Sequence, residues 1–346
     1  MSKLKSSFIK ESISKKSGFF RANVVPPSYG LDSSIITISD DIAMAVASDP
    51  LSYIPSIGAQ KSAWLSIQLV ANDIATTSLS AEYGQLTLNL PESISELELE
   101  EYWDYIDLYA KQLGITITGG HTGITKSNQS TIAGGITLWT FGNPKEMLLS
   151  NQAQEGDVLL MTKSAALLSS SLLTLMFPEL IQDTLSAEEL AQLQASFWNI
   201  SVSQEAKLVR QINSQERMIT AMHDVTEGGI LGAIYEFCTA SQLGIRVQKD
   251  KIPIAPYTAK ACKTFDLDPL HSIGAGAMLM SCKNESKDSV LATMKKNNML
   301  CTEIGHFVHL SEGRVIEQEQ HESTLEEVEK DPYWIVFNKL INYGNK

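Results

Sequence analysis

The chain has 346 residues and carries 27 Lys and Arg against 40 Asp and Glu, a formal charge of −13. That length exceeds what a single hydrophobic core fills, so more than one domain is expected. With 43% hydrophobic and 19% charged residues it is not a disordered polymer, and its acidity excludes a general nucleic-acid binder while leaving room for a local anion site.

Residues 1–27 read as a flexible basic arm, with Lys3, Lys5, Lys10, Lys15, Lys16 and Arg21 set against Glu11. It is either a solvated tail or an arm that orders over an anionic ligand. It has no apolar stretch of the secretory kind. The most apolar text, Ala165 to Phe177, is broken by serines and is shorter than the about 20 residues of a membrane span. Cys238, Cys262, Cys282 and Cys301 form no CxxC pair and read as reduced core thiols. A soluble, cytoplasmic protein without a membrane partner is expected.

Strand text begins at Ser34–Ser39 and resumes at Ile42–Ala47 around the acidic turn Asp40-Asp41. Residues 57–76 place Ala63, Ile67, Val70, Ala71 and Ile74 at helical spacing. Gln85–Leu90 alternates as a strand. Glu96–Leu113 is an amphipathic helix stopped by Gly114. Ile115–Thr118 is a short strand leading into Gly119-Gly120-His121-Thr122-Gly123, and 130–141 is another strand. A turn at 142–145 precedes a domain boundary near 153, giving domains 28–152 and 153–346. In the second, Val158–Thr162, Ile219–Met222, Ile245–Gln248 and Ala277–Ser281 read as strands, and Ile230–Ser241 as a helix. The acidic stretch 317–331 reads as an exposed face near a C-terminal helix. Strands and helices mixed through both halves give α/β and α+β layers.

Three features carry chemistry. Asp32, Asp49 and Asp73 lie at strand ends or on the following helix, beside Asn72. Separate carboxylates of this kind suit Mg²⁺, which takes hard oxygens and substrate phosphates, although aspartate is also ordinary turn chemistry. In the 119–123 segment, paired glycines allow close backbone approach to an anion. His121 there can bind a metal, transfer a proton or donate to a phosphate; a plain tight turn is the alternative. The loop 223–229, His-Asp-Val-Thr-Glu-Gly-Gly, opens a helix whose N-terminus suits a phosphate, with Thr226 placed to cap it. His223 and Asp224 are candidates for acid–base work, and no Walker A or GxSxG pattern occurs.

In order along the chain, YGLDSSIITIS (29–39), ASDPLSY (47–53), LVANDIATT (69–77), ITGGHTG (117–123), GDVLLMTKSA (156–165), AMHDVTEGGILGAIYEF (221–237), KIPI (251–254) and IGAGAMLM (273–280) resemble the aminoimidazole ribonucleotide synthetase, or PurM-like, superfamily. The similarity runs from about residue 28 to about residue 310 and is greatest to HypE-like and AIR synthase-related proteins. It implies a two-domain fold with an N-terminal domain that dimerises across its sheet and a C-terminal α+β domain. It also implies ATP and Mg²⁺ as cofactors, a nucleotide and an unknown small-molecule substrate as ligands, and a homodimer. Carried over by position, it implies metal ligation by Asp32, Asp49 and Asp73 and catalytic roles for His121 and Asp224. Nucleotide contacts would come from Asn72, Gly119, Gly120, Thr122, Lys163, Thr226, Glu227, Gly228 and Gly229. The activity implied is ATP-dependent activation of a small amide or acid oxygen by phosphoryl transfer. A kinase of the thiamine-monophosphate kinase type and a catalytically silent nucleotide-binding paralogue are the alternatives. HypE ends in a cysteine that accepts a carbamoyl group, whereas the last cysteine here is Cys301, so transfer to its own tail is not expected.

Overall fold

The computed structural model describes residues 8, 12, 16, 18–26, 28–126 and 131–344. The expected arm at 1–27 falls largely outside the described residues. Two compact units are present: the smaller holds Ala22–Val25 and Ser33–Met147, and the larger includes Pro26–Asp32 and Leu148–Lys346.

The smaller unit runs β1 (Ser34–Thr37), β2 (Ala43–Pro50), α1 (Gly58–Ala75), β3 (Tyr83–Leu90), α2 (Glu96–Leu113), β4 (Thr116–Ile124) and β5 (Ala133–Gly142). Its sheet has the order β1-β2-β5-β3-β4, with only the β3–β4 pair parallel. The period-2 pattern of β3 sets its faces: Leu86, Leu88 and Leu90 are buried while Gln85 and Thr87 are exposed. α2 starts at a capping box, in which Ser95 Oγ accepts the Glu98 N–H and Glu98 returns the bond to the Ser95 N–H. It ends where Gly114 turns left-handed at φ 79°. α1 packs on α2 through the Ser66–Tyr102 hydroxyl pair at 2.8 Å and the Trp64–Tyr109 edge contact.

The larger unit contributes β6 (Val158–Thr162), α3 (Leu167–Met176), α4 (Ala187–Ser196), α5 (Ser203–Ile212), β7 (Ile219–Asp224), α6 (Gly229–Ser241) and β8 (Gly244–Gln248). It continues with α7 (Pro256–Thr264), β9 (Met278–Cys282), α8 (Lys287–Lys296), β10 (Cys301–Val308), β11 (Arg314–Gln318), β12 (His321–Thr324) and α9 (Pro332–Gly344). The sheet order is β12-β11-β8-β10-β6-β9-β7. Every residue of β6, β7 and β9 is buried, so these strands carry apolar text on both faces. One core gathers Leu159, Met161, Ala221, Ile234, Phe237 and Phe307.

Three segments differ from their sequence reading. The glycine-rich 119–123 text is not a turn after a strand but the middle of β4, because Gly119 and Gly120 stay extended at φ 148° and 149° while pairing with β3. Likewise His223 and Asp224 are not in a loop: they finish β7, opposite Leu279 and Met278 of β9. The acidic 317–331 stretch is only partly a solvated face, since Leu325 and Asp331 are buried. No helix of the described residues is long and apolar enough to cross a membrane.

Candidate active site

In the smaller unit a pocket of about 670 Å³ opens on the sheet, lined among others by Ser48, Asp49, Gln85, Thr87, Gly120, His121, Gly134 and Thr137. Strand register explains its shape. Pro50, Gly135, Thr87 and His121 form one row across β2, β5, β3 and β4, and Asp49, Ile136, Leu86 and Gly120 form the next. β2 and β4 are three strand spacings apart, about 14 Å at about 4.8 Å each. Asp49 therefore shares a face with buried Leu86 and Ile136, while His121 shares with Thr87 the exposed face on which the pocket forms a trough, so the two side chains do not surround one atom. The floor is low because Gly134 and Gly135 carry no side chains. Gly120 and Gly134 are fixed by their neighbour: a Cβ at either would lie 1.9 Å from Leu86 O or 1.8 Å from Thr87 O. A Cβ on Gly123 would lie 3.2 Å from His121 Nε2, so this glycine leaves the ring its room. Thr122, next to His121 on an extended strand, points to the opposite face.

Asp49 belongs to this pocket, but Asn72 and Asp73 lie near the end of α1 and do not line it. The Asp73 carbonyl accepts the Ser33 and Thr76 hydroxyls at 2.7 and 2.6 Å. Asp32 groups with the larger unit, where His223 Nδ1 lies 2.8 Å and 2.9 Å from its two carboxylate oxygens. Ser150 Oγ adds a bond to Asp32 at 3.1 Å. Among the described residues no three His, Cys, Asp or Glu side chains converge as a metal cage. Mg²⁺ does not need one, since it is held by one or two carboxylates, substrate phosphates and water. Asp49 is the one expected metal ligand among the residues lining this pocket; it is half-buried and follows Ser48, whose hydroxyl bonds that of Thr137 at 2.8 Å on the other face of the strand.

Around 223–229 the structure corrects several expected nucleotide contacts. The N-cap of α6 is Gly228 and no side chain caps it, so Thr226 does not play that part. The Gly228 N–H is taken by Asp331 Oδ2 at 2.7 Å, so a carboxylate of the chain itself sits where a phosphate was expected. Burial pushes the Asp331 acid up to about 6, against the backbone N–H bonds from Gly228 and Tyr333 that pull it down. A Cβ on Gly229 would meet Leu270 O at 2.6 Å, so this glycine serves chain packing. Glu227 accepts the Trp334 indole N–H at 3.0 Å. Asp224 is buried at the end of β7.

Lys163 is also committed elsewhere. Its ammonium bonds Glu205 at 2.9 Å, the Ser201 carbonyl at 2.5 Å and the Gly276 carbonyl at 3.0 Å, which uses all three donors. Lys163→Met should therefore strand the buried Glu205 carboxylate and lower the melting temperature, while any stabilisation by nucleotide keeps its wild-type size. A melt with and without ATP and Mg²⁺ checks this, and a lost nucleotide response in a folded variant would return Lys163 to the site.

His223, an acid–base candidate in the sequence, is enclosed by two carboxylates. It is 2% exposed, packs 5.7 Å from Phe237, and has Glu236 3.6 Å from Nε2. Burial alone would push its pKa down, but the Asp32 and Glu236 carboxylates outweigh that and hold it near 10. Tyr29, in the same segment as Asp32, is bonded by Glu236 and Glu327, and burial with those charges pushes its hydroxyl far up. No local signal marks these partners, because Asp32 and His223 are 191 residues apart.

Comparison with known proteins gives the class. The model of the AIR synthase related protein N-terminal domain matches residues 30–138, and that of the C-terminal domain matches residues 154–317. The chain belongs to this AIR synthase-related, PurM-like superfamily, and its fold is the two-domain α/β fold of that superfamily. Among characterised relatives it is 24% identical over 250 residues to the carbamoyl dehydratase HypE of Rhizobium leguminosarum bv. viciae, covering 70% of this chain and 67% of that protein. It is 27% identical over 253 residues to the selenide, water dikinase of Methanococcus maripaludis, covering 69% and 72%. A crystal structure of the hydrogenase maturation protein HypE in complex with ATP superposes with a TM-score of 0.68 at 17% identity, covering 95% of this chain and 94% of that one. The alignments to HypE-type relatives span about two thirds of those proteins' length, 64–67%.

Proposed function

We propose that this protein is an ATP- and Mg²⁺-dependent enzyme that activates the oxygen of a small amide or acid by phosphoryl transfer. The observation that carries the reading is the match of both domains to this superfamily, joined to a pocket of the smaller unit that is lined by His121, Asp49 and the glycines 120, 134 and 135. Relatives whose names mark them as ATP-binding or as a dikinase support it.

In this reading Asp49 would hold Mg²⁺, which would supply charge to offset the polyphosphate; Asp73, outside the pocket, stays an expectation of the resemblance. The substrate oxygen attacks the γ-phosphorus, the bond to the ADP oxygen breaks, and a phosphorylated substrate is left for the next nucleophile. Such transfer depends on positioning and charge stabilisation more than on covalent chemistry by the protein. His121 is exposed and lines the trough, where it would donate to a phosphate oxygen or take the proton of the incoming group. The glycines exclude side chains from the path of the phosphates. Gly119 remains an expected contact of the same ligand, while Asn72, Asp224 and Thr226 stay expectations of the resemblance alone.

The open sheet face of the smaller unit supports a homodimer. Met44 faces Phe141, and Val46, Trp139 and Tyr83 share the next row of that face, with Tyr83 stacked on Trp139. Tyr83 and Phe141 remain 36% and 40% exposed, which is apolar area a second copy would cover. Cytoplasmic residence belongs to the same reading.

Melting in the presence of ATP, of Mg²⁺ and of both tests the proposal. At about 100-fold excess over Kd the pair should raise Tm by roughly 5 °C, and neither ligand alone should do so. Asp49→Asn should remove most of the joint effect. No shift in any combination sinks the ATP reading.

A further inference from the structure

The carboxylate expected to share the metal, Asp32, is already engaged. Its side chain is 8% exposed, His223 Nδ1 reaches both of its oxygens within 2.9 Å, and Ser150 Oγ takes one of them. Ser150 Oγ also contacts the Met222 carbonyl and His223 Nδ1, at 3.0 and 3.3 Å, so the three side chains are locked to β7.

The segment that carries Asp32 is seated just as closely. Gly30 runs at φ 86° with its Cβ position 2.4 Å from the Glu236 carbonyl, so only glycine lets the chain lie against α6 there. Tyr29 is bonded by Glu236 and Glu327. Asp32, Gly30 and Tyr29 thus make three successive contacts that hold Pro26–Asp32 within the larger unit.

We propose that His223 takes, at the Asp32 carboxylate, the place a divalent cation would occupy, so that Asp32 and His223 are positioning residues for the Pro26–Asp32 segment and Asp32 is not a metal ligand. The contact does not depend on the charge of the ring. A neutral imidazole protonated at Nδ1 donates to Asp32 as an imidazolium does. Mg²⁺ demands near-octahedral oxygen donors at about 2.0–2.1 Å and keeps several waters. A carboxylate this buried, with an imidazole nitrogen at hydrogen-bond distance from both oxygens, admits that shell only if the ring is expelled. Expelling it would leave the His223 ring, 2% exposed, without its principal partner. Where the superfamily pattern places a metal aspartate, this chain has built an internal pair. This rests on the ATP and Mg²⁺ reading only for the metal it removes from Asp32; the pair itself stands on geometry.

Two measurements on the full chain test it. In the first, Mn²⁺ is titrated by electron paramagnetic resonance in the presence of a non-hydrolysable ATP analogue. Asp32→Asn, which can still accept from Nδ1, should keep the wild-type Mn²⁺ stoichiometry and an affinity within about twofold, whereas Asp49→Asn should lose at least about tenfold. A folded Asp32→Asn variant that gives up a bound Mn²⁺ overturns the proposal. The second needs no variant. The His223 Nδ1–H proton, assigned by nitrogen-15 NMR through its contact with Phe237, should persist unshifted at saturating Mg²⁺ with and without ATP. Its displacement by Mg²⁺ also overturns the proposal. If wild-type protein binds no Mn²⁺ while the proton persists, the ATP and Mg²⁺ reading fails and the pair is supported.

Discussion

His223→Ala should lower the unfolding free energy by about 3–5 kcal/mol, the range for breaking a buried ion pair by removing one partner. The ring lies between Asp32 and Glu236, so its loss strands carboxylates that are 8% and 14% exposed. The pH dependence gives a second signature. The folded His223 titrates near 10, above its usual value of 6.5, so the folded state binds this proton more tightly than the unfolded chain does. The stability it contributes is complete below about pH 6.5 and is lost as pH rises through about 10. Urea midpoints from pH 6 to 10 should fall for the wild type and fall less for His223→Ala. Equal slopes for the two proteins would show that His223 is not the group responsible.

Gly120→Ala and Gly134→Ala should each cost more than about 3 kcal/mol, with Gly119→Ala as the internal control at about 1–2 kcal/mol. All three residues sit in extended strands with φ of 148–149°, a conformation that L side chains rarely adopt. They differ in what a Cβ meets. At Gly119 nothing lies within 4 Å, whereas Gly120 and Gly134 press on the Leu86 and Thr87 carbonyls from either side of β3. Backbone cannot swing aside as a side chain can, so β3 itself must shift. Because Gly134, Gly120 and Thr87 line the trough, the same variants should lose the joint ATP and Mg²⁺ response even if they remain folded. Chemical denaturation of the three proteins separates strain alone from collision, and similar losses at Gly119 and Gly120 would remove the collision argument.

Much of the secondary structure is legible from local rules. The Ser95–Gly114 helix declares both ends through a capping box and a left-handed glycine, and β3 declares its faces through alternating leucines. Residues whose role is set by distant partners are not legible this way. Asp32 reads as a free strand-entry acid until His223 is brought to it. Asp331 reads as part of a solvated acidic run until it reaches the Gly228 N–H, 103 residues away in sequence. The glycines of 119–123 look like a turn because glycine usually marks one. Here they keep a strand extended and close to its neighbour, and only the register of β4 on β3 reveals it. Lys163 follows the same logic, since its ammonium is consumed by Glu205 and two carbonyls that no motif predicts.

The placement of Asp32 also matters on the ribosome. The larger unit is interrupted in sequence: it includes Pro26–Asp32, yields to the smaller unit through Met147, and resumes at Leu148. Asp32 and His223 are 191 residues apart, so at translation rates of about 5–20 residues per second the aspartate waits on the order of 10–40 s for its partner. The smaller unit has its complete sheet long before that. Nascent chains arrested just before His223 should therefore expose the Pro26–Asp32 segment to protease, and chains extended far enough for Glu236 to clear the ribosomal exit tunnel should protect it, so the seating of this segment is a late event of synthesis.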